Sequence, residues 1–248
     1  AAPSKALRPG REFRRMKAMK RNSLPKGWAA GPEPWLLSPA GAIYHPGQQV
    51  AIIADMHLGY EQTRGQAGDT LPAFETSREI HSLARFLDSV PVKKLVVAGD
   101  LVESRRNAHL AHGLIHHLYD WILSRDIEPL FLAGNHDPSG HHLFTDCYII
   151  DHWHIVHGHI DDPDVSKNKR VTGHLHPVLQ LESRDYKTFL VSDDRIILPA
   201  FSHNASGVNF LSDRYLLTLA GHEFRAWVCS PGQVLNFGCL SQLTQKIS

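Results

Sequence analysis

The chain has 248 residues, 42% hydrophobic and 21% charged, which is enough for one large core and too few for two of ordinary size. No apolar run approaches the roughly 18 residues of a membrane span, and the N-terminal stretch lacks the apolar centre of a secretory signal, so a membrane is not expected as a partner. Cys147, Cys229 and Cys239 are odd in number and scattered, which argues against a disulfide framework and for a reducing compartment, with the cytoplasm as the expected location.

The formal charge of +1 hides an asymmetry. Residues 1–26 hold nine Lys or Arg against Glu12 alone, a net +8 that leaves −7 for the remainder. Such a tail reads in three ways: an arm for nucleic acid, an organellar presequence, or a solvated extension. Residues 1–40 are expected to form a basic, disordered tail and linker, and residues 41–248 one folded domain. The Gly- and Pro-rich stretch 27–47 is the linker, with order starting near Ile43.

Three continuous apolar runs then follow, each too short for a helix and each expected to be a fully buried strand. Val50 to Ala54 ends on Asp55-Met-His57, Leu95 to Ala98 ends on Gly99-Asp100, and Leu130 to Ala133 ends on Gly134-Asn-His-Asp137. Between them, Ile80, Leu83, Ala84, Leu87 and Val90 recur at helical spacing, as do Leu110, Leu114, Ile115, Leu118 and Ile122. Strand–helix–strand crossovers build parallel sheet, and ligands of such sheets gather beyond the carboxyl ends of the strands. From Tyr148 the pattern changes to short strands: 148–150, 153–156, 188–191, 195–198, 215–219, and a hairpin of 226–229 with 234–237 around Pro231-Gly232. The expected fold class is α/β, with two facing mixed β-sheets flanked by helices.

Two further polar motifs complete the series, His157-Gly-His159 and Gly173-His-Leu-His176. Two divalent ions about 3.5–4 Å apart need some eight converging ligands, with one carboxylate between them. Asp55, His57, Asp100, Asn135, His157, His174 and His176 offer carboxylate, amide and imidazole donors and no thiolate. That mixture suits manganese, iron or zinc.

These five motifs, in this order, resemble the calcineurin-like metallophosphoesterase superfamily. Ala54-Asp-Met-His-Leu-Gly-Tyr-Glu61 and Leu198-Pro-Ala-Phe201 narrow the likeness to the ICC-like, SbcD-related phosphoesterases, the group that includes the ligase-associated DNA damage response endonucleases called PdeM. The resemblance implies a four-layer sandwich and two metal ions, manganese first. It assigns one ion to Asp55, His57, Asp100 and His176, and the other to Asp100, Asn135, His157 and His174. It further implies a metal-activated water as nucleophile, His136 as the catalytic group that protonates the leaving oxygen, and Asp137 as the carboxylate that orients His136. His157, directly after the strand, is preferred over His159 as ligand.

Other histidines carry blander readings. His112 and His116 lie one helical turn apart without the H-E-x-x-H arrangement, and are expected on a solvated helix face. His141 and His142, and His203 with Asn204, lie in loops that can border a substrate. The leading expectation is a phosphodiesterase acting on nucleic acid, with DNA-repair proteins as partners. A hydrolase of nucleotides or small phosphoesters is the alternative, and a metal-bound scaffold a third. The oligomeric state is left open.

Overall fold

The computed structural model describes residues 24–60, 76–104, 108–160, 168–213 and 223–245. The basic segment 1–23 and the strand expected at 215–219 lie outside these residues.

The first sheet carries seven strands in chain order: β1 (Ala29–Ala30), β2 (Leu36–Leu37), β3 (Ile43–His45), β4 (Val50–Ile53), β5 (Lys94–Ala98), β6 (Glu128–Leu132) and β7 (Phe144–Thr145). Strands β1 to β4 pair antiparallel, and β4 to β7 pair parallel. Helices α1 (Thr76–Ser89) and α2 (Ala108–Leu123) occupy the two crossovers between β4, β5 and β6. The alternation of side chains along a strand explains why β4 and β5 read as unbroken apolar runs. Ala51, Ile53, Leu95 and Val97 face the helices and pack with Leu83, Phe86, Ile115 and Leu118. Val50, Ile52, Val96 and Ala98 face the other way, into a second cluster shared with the second sheet.

The second sheet comprises β8 (Tyr148–Ile150), β9 (Trp153–Val156), β10 (Lys169–Thr172), β11 (Pro177–Leu181), β12 (Arg184–Val191), β13 (Arg195–Ile197), β14 (Val208–Asn209), β15 (Arg225–Ser230) and β16 (Gln233–Cys239). Its spine runs β14-β11-β12-β13-β10-β9-β8, with the β15–β16 hairpin joined to β12. Trp153, Ile155, Val171, Phe189 and Ile196 from this sheet fill the space against the first. Its outer face buries Leu190, Ile197, Phe224 and Val228 under Leu240 of the short helix α3 (Leu240–Gln245). The layers are therefore helix, sheet, sheet and a thin outer cover, in keeping with the expected pair of facing mixed sheets flanked by helices.

Order begins earlier than Ile43. The Gly- and Pro-rich stretch carries β1 and β2, and Trp35 is buried edge-on against Trp153 and His45. Two-residue strands leave no periodicity to read, which is why composition suggested a linker. Among the described residues, no helix is long and apolar enough to cross a membrane.

Candidate metal centre

Five strand ends converge on one edge of the sandwich. Beyond β4 and β5 the chain keeps pairing after the regular strands stop: Asp55 N donates to Gly99 O, His57 N to Asp100 O, and Leu58 N to Leu101 O. Gly173 N donates to His157 O, and Ser202 N to Asp55 O. The motif loops are thus held by backbone hydrogen bonds to one another rather than left as free connections.

These side chains fall into two groups. Asp55, His57 and His176 can each offer a ligand atom within 4.8 Å of the others, and so can Asp100, His157 and His174. Asp55 Oδ1 lies 3.1 Å from His176 Nε2 and 3.7 Å from His157 Nδ1, so the groups adjoin. Asn135 Oδ1 lies 3.1 Å from His157 Nε2, on the second group. Asp55, Asp100 and His157 are buried, while His174 and His176 keep some access to solvent. His159, whose ring centroid is 5.2 Å from that of His157, is exposed and stands outside both groups.

The polarity of the centre fits a cation. His157 Nδ1 donates to Ala98 O at 3.0 Å, which leaves Nε2 as the atom facing Asp100 Oδ2 at 3.2 Å and Asn135 Oδ1. A neutral ring would turn a lone pair on two acceptors, so the arrangement calls for a proton or a metal ion there. His176 repeats the design, with Nδ1 on Ser206 O and Nε2 on Asp55 Oδ1. Burial alone would lower the pKa of both rings, but hydrogen bonds and carboxylate charge raise it. Asp100 shows the reverse balance: burial raises its pKa, and the His157 hydrogen bond and charge, with the His136 N–H, bring it down to about 2. Burial and the His157 charge hold His174 below the usual imidazole range.

Backbone geometry is unusual here, as it is at six other non-glycine positions among the described residues, Gln49, Asp126, Asp151, His152, Glu182 and Ser183. Asp55, His57, Asp100, His174 and His176 all have positive φ, between 44° and 68°. Residues with side chains seldom adopt this region, and such outliers cluster at functional sites. The motif glycines have a steric reason as well. A Cβ on Gly134 would sit 2.2 Å from Asp100 Oδ1, and one on Gly173 would sit 2.5 Å from Asp55 Oδ2. The two carboxylates can therefore reach their positions only past bare backbone.

Around the two groups stand His136, Glu103 and Asp137. His136 donates its backbone N–H to Asp100 Oδ1 at 2.8 Å and its Nδ1 proton to Glu103 O at 2.6 Å, so Nε2 is the ring atom left for the site. Asp137 does not orient His136. Its Oδ1 accepts from Leu101 N and Val102 N, and its Oδ2 accepts from Gly134 N, tying the loop after β5 to the loop after β6. Burial holds the Asp137 carboxyl up at about 6, against those N–H donors. The orienting acceptor is the Glu103 carbonyl, and a Glu103 carboxylate oxygen stands 2.9 Å from His57 Nδ1. Motif reading passed over Glu103, although an acid three residues beyond Asp100 in the same strand-end loop was the available signal. His203 is held by Glu79 of α1, through its backbone N–H and its Nδ1, and so serves to anchor its loop.

No family model matches the chain, and no curated protein matches it. Among solved structures it is similar to the nuclease MPE of Pseudomonas putida, with 18% identity over 84% of this chain and 100% of that one and a TM-score of 0.64. A Vps29 single mutant from Entamoeba histolytica also matches, with 12% identity, 76% and 99% coverage and a TM-score of 0.34. At these identities the likeness to the nuclease is one of fold, and the chain has that fold over most of its length.

Proposed function

We propose that the chain is a two-metal phosphoesterase that hydrolyses phosphodiester bonds, with nucleic acid as the substrate class. The observation that carries this reading is the pair of adjoining acid–imidazole groups at the strand ends, Asp55-His57-His176 and Asp100-His157-His174. In this reading the first group holds one ion and the second, with Asn135, holds the other, and Asp100 is shared. Bound ions would supply positive charge to the phosphate and lower the pKa of a water. The rest falls to the chain. His136 presents Nε2 to the leaving oxygen while the Glu103 carbonyl keeps the Nδ1 proton in place. Asp100 fixes the loop that carries His136. Glu103 steadies His57 from behind, the role an outer carboxylate has at many metal-binding imidazoles. The fold shared with a Pseudomonas nuclease supports the nucleic-acid substrate, and DNA repair is the process proposed for this chain from its motifs.

Hydrolysis of nucleotides or small phosphoesters is the second reading, favoured by the net −7 outside residues 1–26. A panel of single- and double-stranded DNA, RNA, cyclic nucleotides and phosphomonoesters, each with manganese, iron or zinc, decides between them. Turnover of DNA or RNA is expected. Turnover of small esters alone would select the second reading, and no turnover of any substrate would overturn both.

A further inference from the structure

The two histidines expected on a solvated face of α2 do not share that setting. His112 is exposed, but His116 is partly covered, and its Nε2 is buried with no hydrogen-bond partner among the described residues. The fold brings a third imidazole to them. After β6 the chain passes through Asn135 to Asp137 and then turns back, so that His141 lies over the helix with its ring centroid 5.1 Å from His112 and 5.5 Å from His116. His141 Nε2 is 3.1 Å from His112 Nδ1, and one ring nitrogen from each of the three residues falls within 4.8 Å of the others. His142 stacks on His141 at 4.9 Å and 14°.

We propose that His112, His116 and His141 form a further metal site, separate from the strand-end centre, that takes one borderline divalent ion of the zinc class. Three imidazoles without carboxylate or thiolate suit zinc, copper, nickel or cobalt and not magnesium or calcium. Around a tetrahedral ion with bonds of about 2.0–2.1 Å, neighbouring nitrogens stand roughly 3.3 Å apart, close to the His141–His112 separation. The i, i+4 spacing on α2 supplies two ligands from one helical face, and the loop supplies the third. Water would complete the shell, as in other three-histidine zinc sites. The His141 ring favours its neutral, ligating form: burial and the neighbouring His142, His112 and His116 hold it below the usual imidazole range. Binding through His141 Nε2 moves its proton to Nδ1, which gives up the long hydrogen bond from Leu143 N at 3.3 Å and replaces the Nε2 contact with His112 Nδ1 by a shared ion. The ion would pin the loop after β6, which also carries Asn135 and His136, against α2.

The test is a zinc titration of the full chain, stripped of metal, with bound zinc counted per chain. The His112→Ala/His141→Ala double variant is expected to bind one equivalent fewer than the wild type, whatever the occupancy of the strand-end centre. His117→Ala, an exposed histidine of the same helix, is expected to keep the full count. If the double variant does not fold, His112→Ala alone is expected to weaken that equivalent by more than the roughly 10–100-fold that loss of an outer partner costs. Equal zinc in wild type and double variant, an unchanged affinity in the single variant, or an equal loss in His117→Ala would overturn the site.

Discussion

Asp100 sends Oδ1 to the His136 N–H and Oδ2 to His157 Nε2, so one side chain touches both a candidate proton donor and a candidate ligand. Asp100→Ala should abolish turnover and release both strand-end ions, and metal analysis that still finds both would refute its shared role. His136 is coupled to the centre differently, through its backbone and through a ring whose Nδ1 faces a carbonyl. His136→Asn should keep metal content and folding while kcat falls by about 10²–10⁴-fold, the range for a positioned proton donor. Loss of metal in that variant would make His136 a ligand instead. At this scale the sequence was legible where a residue's chemistry is rare for its place, as with an Asp or His closing a buried strand. It was illegible where the main chain does the work. Nothing in a row of letters says that the carbonyl of Glu103, rather than the carboxylate of Asp137, meets His136.

Elements were legible in proportion to their burial on both faces. Strands β4, β5 and β6 and helices α1 and α2 all lie within a few residues of their expected positions, because a strand sealed on both faces must be apolar throughout and a helix sealed on one must repeat at 3.6. The hairpin of β15 with β16 likewise turns at Pro231-Gly232. Strand β10, Lys169–Thr172, escaped notice because only Val171 points into the core. Strand β11 opens on Pro177, a residue that argues against a strand until its place at the strand start is known. The loops after β5 and β6 depend on each other through Asp137, which satisfies three backbone N–H groups. Asp137→Ala should therefore cost roughly 2–4 kcal/mol in urea unfolding, since buried donors left unpaired cost about 1–3 kcal/mol each and some will find water. An unchanged midpoint would mean that the two loops hold each other without it.

For the molecule as a whole, charge is divided by position along the chain, with the excess of positive charge in residues 1–26. If that segment meets nucleic acid, its deletion should weaken duplex binding and flatten the salt dependence by about 0.9 in log–log slope for each phosphate the segment neutralises. Hydrolysis of a small chromogenic diester should be untouched. An unaltered slope would return the segment to a solvated extension and shift weight towards small phosphoesters. A different consequence follows from the five left-handed residues of the candidate metal centre. Each such conformation costs a side-chain-bearing residue roughly 1–2 kcal/mol, so together they set on the order of 5 kcal/mol against a net stability of about 5–15 kcal/mol for a domain. The ion-free protein is then a loaded spring, and ions that bound only the folded form would hold it shut by mass action. His174, at φ 68° and only partly buried, offers the release. His174→Gly should melt about 2 °C above the wild type in chelator, by the scaling for a chain of this size, and below it once ions are restored. A lower midpoint in chelator would show that the turn is not under load, and an equal difference with and without ions would show that His174 contributes nothing to what the centre binds.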